Sequence, residues 1–435
     1  MGDKMFVTIF DEIVQILHHD YAGCIDKKGW DSPHDYRNKI NRLQDQGGLN
    51  NHTFVEFVED YLLDFKDLHM SFRATNKAKE PTSYVGFTVR RYEDRLYIIS
   101  STEENRLKPG DCITALDGIS ISQLVETHKR RLMETQAERE NWSPILTRYE
   151  TAQVTDQEGQ TFTLDLRNYE KEPYEADYSL KEVAPDTLLL TLTDFMNHHA
   201  ISSLIDENSN LLKRCDHLII DVRINKGGND LAYFELLPYL FEGDEINLAD
   251  FTTDRMLTNC TKRNVELRVE FLEKIRHSIQ DENTLNQLNA LICVLEENKG
   301  KGFVELTSTA IEDSLLIKTK EGPKNVILLT DVYCGSSGDS FVEVCKHSSK
   351  VTVVGRPTMG LNDYSNLAVR NWHDEFELWY PTSKLSRVEI GRGMSGKGIE
   401  PDLYIPWSKH HIHEDIDLQK AVELIIERNR LFLKS

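Results

Sequence analysis

Two short segments of this 435-residue chain carry the residue types that acyl-transfer chemistry needs, and each closes an apolar run. The first is Asp221-Val222-Arg223-Ile224-Asn225-Lys226-Gly227-Gly228, after the run beginning at His217. Paired glycines behind a buried strand reach backbone conformations closed to other residues and turn amide N–H groups outward, where they can hold an oxyanion. In the second, Val326-Ile327-Leu328-Leu329-Thr330 leads into Asp331-Val332-Tyr333-Cys334-Gly335-Ser336-Ser337-Gly338-Asp339, and the spacing of Phe341, Val344 and Cys345 predicts a helix beyond it. A serine at a helix entrance lies beside unpaired amides and the positive end of the macrodipole, both suited to developing negative charge. Each segment also has an ordinary reading, a plain glycine turn in one case and a helix-capping serine in the other.

The elements that must position these residues follow from periodicity. From about residue 178 onward, buried strands over 187–192, 217–222, 325–330 and 350–354 alternate with helices, the grammar of an α/β architecture. A long, polar, mostly helical stretch between about 233 and 322, including Val269 to His277 and Leu285 to Glu297, interrupts it and reads as an insertion or lid. Upstream, from about 80 to 170, the pattern is of short strands, Tyr84 to Val89 and Leu96 to Ser100, and then one buried strand within Leu107 to Gly118, bracketed by Pro109-Gly110 and Asp117-Gly118 turns. The run Leu124 to Glu140 reads as one longer helix. Before it, Phe6, Ile9, Phe10, Ile13, Val14 and Leu17 share a helical face, a second helix starts at Ser32-Pro33, and Thr53-x-x-Glu56 predicts a capped third helix that stops near Lys66. Asp67-Leu68-His69 then lies in the turn that leaves it.

The order Asp-x-Arg-x-Asn-x-Gly-Gly, Ser-Ser-Gly-Asp after a strand, Gly355-Arg356-Pro357-Thr358-Met359-Gly360 and Gly396-Lys397-Gly398-Ile399-Glu400-Pro401-Asp402 resembles the C-terminal processing, or tail-specific, protease family. The resemblance covers about 60 to 435. Leu107-Lys108-Pro109-Gly110-Asp111-Cys112-Ile113-Thr114-Ala115-Leu116-Asp117-Gly118 resembles a PDZ domain, a module that binds an extended peptide by strand addition. The family implies a crotonase-like ββα catalytic core; with the helical spacing of the N-terminal segment and the PDZ resemblance, the expected α/β protein is divided into an N-terminal helical cap (1–78), an inserted PDZ-like β domain (79–172) and the catalytic core (173–435). The family matches Ser336 to the nucleophile, and Gly228 and Ser337 to the oxyanion donors. The branch that uses a lysine base would need it after Thr358-Met359-Gly360, where Leu361 stands. The branch of the tricorn core protease takes a histidine from an Asp-x-His turn ahead of the PDZ-like insert, which matches His69. That branch also has an acidic residue where this chain has Ser395, so the third member stays open among Asp363, Glu389 and Ser395 itself. The implied activity is a serine endopeptidase acting on peptides or unfolded protein, with no cofactor or metal. The rival readings are a non-catalytic peptide- or ligand-binding relative and an acyl-CoA-type enzyme on the same fold.

Composition narrows the classes further. Hydrophobic residues make up 39% and charged residues 28%, too apolar for a disordered chain, and the length suits two to four domains. A net charge of −21 argues against nucleic acid and anionic lipid as partners. No apolar run approaches the roughly 18 residues of a membrane span, and no signal-peptide pattern follows Met1, so a cytoplasmic protein is expected. Seven cysteines without a Cys-x-x-Cys pair fit reduced thiols rather than a disulfide framework or zinc site. His410, His411 and His413 are read as a solvated loop rather than a metal site. Self-assembly into an oligomer is left open.

Overall fold

A computed structural model describes residues 5–75, 83–251, 254–276, 282–307 and 315–432. The fold is mixed α/β, and the chain divides into two compact units, each assembled from separated stretches. One unit comprises Met1–Lys79, Gly243–Thr319 and Gly360–Ser395, and the other Glu80–Glu242, Lys320–Met359 and Gly396–Ser435.

The second unit is built on a six-stranded sheet in the order Tyr178–Ala184, Thr187–Leu192, His217–Asp221, Asn325–Thr330, Val351–Gly355 and Leu403–Tyr404. The first pair is antiparallel and every later pair parallel. Parallel strands are covered on both faces, which is why Leu218-Ile219-Ile220 and Val326 to Leu329 are continuous apolar runs rather than alternating ones. The C-terminal helix Ile416–Phe432 closes one face, with Ala421 and Ile425 packed on Leu189, Ile219, Ile327, Leu329 and Val354.

In the same unit, Phe87–Tyr92, Arg95–Ser101, Cys112–Leu116, Thr151–Thr155 and Thr161–Asp165 form an antiparallel sheet around a core that includes Ile98, Ile113, Leu116, Leu124 and Trp142. The turns at Gly110 and at Asp117-Gly118 take the positive φ their sequence announces. The single helix expected over 124–140 is instead broken. Ile121–Thr127 stops at His128, Lys129–Leu132 ends on the left-handed Met133, and a 3₁₀ turn spans Ala137–Arg139. Tertiary packing decides this, because Trp142, Ile145 and Leu146 must reach the small sheet's core.

The first unit packs helices Met5–His19, Pro33–Asp45 and Asn51–Leu62 on a five-stranded sheet. Phe10, Phe54, Tyr61, Phe72 and Phe376 sit in their common core. The third helix is capped by Asn50, with Thr53 three residues inside the capping box, so it starts earlier than the Thr53-x-x-Glu56 reading places it. It gives way to a 3₁₀ turn that ends on the left-handed Lys66, close to the expected stop. The stretch from 233 to 322 is more than helical. Its strand Met256–Cys260 pairs with both Phe376–Leu385 and Gly302–Glu305, and is therefore part of this sheet. Helices Lys262–Arg276 and Glu282–Glu297 fall where helical spacing predicts them, while His277 lies outside the described residues. Among the described residues no helix is long and apolar enough to cross a membrane.

Candidate active site

In the second unit the buried strand Asn325–Thr330 delivers the chain to Ser336, which opens the helix Ser337–Cys345. Ser336 has φ 60° and ψ −122°, a conformation that side-chain-bearing residues rarely adopt and that surrounding contacts must impose. Its N–H donates to Asp339 Oδ2 at 2.8 Å, so the fully buried Asp339 carboxylate fixes the turn. The Gly227-Gly228 loop lies against the same turn. A Cβ on Gly227 would stand 2.6 Å from Ser336 Cβ, and one on Gly228 2.3 Å from the Phe195 carbonyl, so neither position tolerates a side chain.

The direction of the Gly228 amide follows from its neighbours. Phe195 N–H donates to Gly227 O, and Asn229 N–H donates to Phe195 O, the pattern of a parallel bridge that turns the N–H and C=O of Gly228 away from Phe195. The carbonyl of Gly228 accepts from Ser337 Oγ at 2.9 Å. Among the described residues neither the Gly228 N–H nor the Ser337 N–H donates to a protein partner. Two undirected amides beside one serine hydroxyl are the donors an oxyanion requires.

Several residues without an assigned role hold this arrangement together. Asn225, wholly buried, donates to Leu192 O, accepts from Gly227 N–H through its side chain and from Gly335 N–H through its carbonyl. It therefore ties the glycine loop to the serine loop. Asp331, at the foot of the serine loop, takes a bidentate pair from Arg90 at 2.8 and 2.7 Å and lies 2.9 Å from Arg356 Nε. Burial pushes the Asp331 carboxyl up, but the Arg90 and Arg356 guanidiniums outweigh it and hold it below the usual carboxylate range. Arg139 donates to the carbonyls of Thr358 and Met359, whose own N–H groups bond Ile399 O and Cys334 O. The motif at 355–360 thus leans on the 396–402 motif and on the serine loop. Cys334 is buried, and burial pushes its thiol far up, so it stays a neutral packing group.

Asp221 and Arg223 are held in an ion-pair network, in which Arg223 bridges Asp221, Asp415 and Asp417. Of the three close histidines, His411 is not solvated, since its ring lies 3.5 Å from Asp417 and stacks near Trp407. No cluster of metal-ligating residues occurs among the described residues.

The candidate base and the candidate third members lie in the first unit. His69 is half-buried, its N–H donates to Asp67 Oδ1 at 3.0 Å, and its Nδ1 lies 2.5 Å from the main-chain oxygen of Tyr364. Asp67 also accepts from Tyr21 Oη at 2.5 Å; burial and that carboxylate raise the Tyr21 phenol far above its ordinary value and keep it a donor. Asp363 is buried and accepts from Met394 N–H, Ser395 N–H and Ser395 Oγ at 2.9, 2.7 and 2.7 Å. Two of the candidate third members are therefore bonded to each other. Glu389 instead lies 3.1 Å from Lys384 Nζ.

Residues 186–405, just over half of the chain, match the model of peptidase family S41. The chain belongs to peptidase family S41. This peptidase is a serine-type hydrolase, and peptides or proteins are its class of substrate. No curated protein matches the chain. Among solved structures, mature CPAF is 14% identical with a TM-score of 0.61, covering 94% of each chain. Mature CPAF complexed with lactacystin is 14% identical with a TM-score of 0.63, over 99% of this chain and 98% of that one. A serine-to-alanine mutant of CPAF, also 14% identical, gives a TM-score of 0.64 over 94% of each. At that identity the likeness is one of fold.

Proposed function

We propose that this peptidase is an endopeptidase working through an acyl-enzyme, with Ser336 as nucleophile, His69 as general base, and the Gly228 and Ser337 amides as the oxyanion hole. His69 takes the Ser336 proton at Nε2 as Oγ attacks the scissile carbonyl, and returns it to the leaving amine; water then repeats the cycle on the ester. The observation that supports this best is the serine held at positive φ on a helix entrance, against Gly227 and beside two amides that donate to no protein partner. The Ser336–His69 pairing itself rests on the resemblance of Asp67-Leu68-His69 to the Asp-x-His turn.

The finer architecture belongs to the same proposal. Residues 1–78 supply the base, 79–172 form a PDZ-like domain, and 173–435 form a crotonase-like core carrying the insertion at about 233–322. The PDZ-like reading draws support from Phe87–Tyr92, which among the described residues pairs only with Arg95–Ser101 and so stands at the end of the sheet, where a PDZ module adds a peptide strand. The cysteine pattern supports a reducing, cytoplasmic setting.

A fluorophosphonate probe tests the assignment. The wild type should be labelled on the peptide containing Ser336, with labelling abolished by Ser336→Ala and cut about 10²- to 10⁴-fold by His69→Ala. Labelling that survives Ser336→Ala would overturn the reading.

A further inference from the structure

A histidine that accepts a proton at one nitrogen must have the other held protonated and aimed, and the partner of that other nitrogen fixes the tautomer. For His69 the partner is a main-chain carbonyl oxygen, that of Tyr364, 2.5 Å from Nδ1. A carbonyl can only accept, so Nδ1 carries the hydrogen and Nε2 presents its lone pair. We propose that the Tyr364 carbonyl stands in for an acidic third member, and that Asp363 and Ser395 are positioning residues that act on His69 only through it. The inference rests on the Ser336–His69 reading above.

Three observations carry it. First, the side chains otherwise suited to the role are engaged elsewhere. Both oxygens of Asp363 receive hydrogens from Met394 and Ser395, the Ser395 hydroxyl donates to Asp363, and Glu389 lies against Lys384. Second, these bonds pin the residue just before Tyr364. The Asp363 carboxylate is anchored to the 394–395 turn, its carbonyl accepts from Leu385 N–H at 3.0 Å, and Tyr364 opens the strand that runs beside Phe376–Leu385. The carbonyl that meets His69 is therefore held by strand pairing on one side and by a buried carboxylate on the other.

Third, the same buried cluster grips both ends of the His69–Tyr364 hydrogen bond. Asp67 accepts from the His69 N–H and from Tyr21 Oη; Lys27 donates to Tyr21 Oη at 2.8 Å, lies 3.7 Å from Asp67 and sits 4.1 Å over the Tyr364 ring. Tyr21, Lys27, Asp67, Asp363 and Tyr364 are all buried. The circuit from the His69 main chain through Asp67, Lys27 and the Tyr364 ring returns to the His69 imidazole at Nδ1. A neutral carbonyl supports an imidazolium less strongly than a carboxylate does, so on this account the geometry of the circuit replaces part of the missing charge.

The test reads the imidazole directly. In full-length protein with ¹⁵N-labelled histidine, the His69 resonances, identified by their loss in His69→Gln, should show the Nδ1–H tautomer. Asp363→Ala should weaken that signature and slow fluorophosphonate labelling of Ser336 about 10- to 100-fold, the penalty of a misplaced base. Ser395→Ala, which removes one of three bonds to Asp363, should have a smaller effect in the same direction, and Glu389→Gln should change neither readout. Should Asp363→Ala fail to fold, Asp363→Asn, which keeps one acceptor oxygen, serves in its place. An Nε2–H tautomer in the wild type, or a folded Asp363 variant with both readouts unchanged, would overturn the inference. The tautomer is read without turnover, so absent labelling would count against Ser336 and His69 as the catalytic pair, whereas an Nε2–H ring in labelled enzyme would count against the carbonyl alone.

Discussion

At the scale of single residues, the glycine loop and the serine turn were legible because their chemistry has a sequence signature. Glycines after a buried run mark a turn and a serine before helical spacing marks a helix entrance, while a catalytic use of either was legible only from the order of the motifs together. Asn225 lay inside the recognised motif, yet its work of joining Leu192, Gly227 and Gly335 depends on contacts that no spacing displays. The Tyr364 carbonyl was invisible in sequence for a simpler reason: every residue has a carbonyl, and only the fold selects one. Gly228→Ala tests the residue-scale account. Its Cβ would meet the Phe195 carbonyl at 2.3 Å, so the loop must move and the amide with it. Losing one oxyanion donor costs about 2.7 to 4 kcal/mol, and kcat should fall about 10²- to 10³-fold in protein that circular dichroism shows to be folded. Retention of wild-type kcat would remove Gly228 from the oxyanion hole.

Elements were legible where one principle dominated. The buried parallel strands at 187–192 and 325–330 match their apolar runs, since burial on both faces leaves an unbroken signal. The segment 124–140 failed because helical propensity gave way to the need to bury Trp142. How the small antiparallel sheet engages the serine loop was also hidden, since Arg90 and Asp331 are 241 residues apart. Arg90→Met should remove the principal partner of a buried carboxylate and cost about 3 kcal/mol at neutral pH, the low end for a broken buried pair because Arg356 remains. The sign of the pH dependence follows from the direction of the shift. The folded-state value of Asp331 is depressed, so its contribution is present above the unfolded value of about 3.9 and is lost as pH falls through the folded value. Urea titrations of wild type and variant should therefore differ most near neutrality and converge in acid. A gap that stays constant or widens below pH 4 would contradict this assignment.

At the scale of the whole molecule, contiguous sequence is a poor guide to compactness. The N-terminal helices complete their core with residues from beyond 360: Phe376 stacks on Phe72 at 5.5 Å and meets Phe54 edge-on. Such joins carry no local pattern, because each strand contributes only its alternate side chains to a face. Phe376→Ala should lower unfolding free energy by about 3 to 5 kcal/mol in denaturant titration, and a loss below about 1 kcal/mol would show that the cluster is not a shared core. The net charge of −21 belongs to the same scale. Cationic peptides should be cleaved with a higher kcat/KM than anionic ones of equal length, and the ratio should shrink as salt rises from low to physiological strength.

In the proposed mechanism Ser336 becomes covalently acylated during turnover. Intact-mass spectrometry of enzyme mixed with an activated peptide ester, quenched in acid within the first turnover, measures this most directly. An acyl adduct should map to the Ser336 peptide and be absent in Ser336→Ala. Hydrolysis that proceeds at the wild-type rate in Ser336→Ala, or an adduct on any other residue, would contradict it.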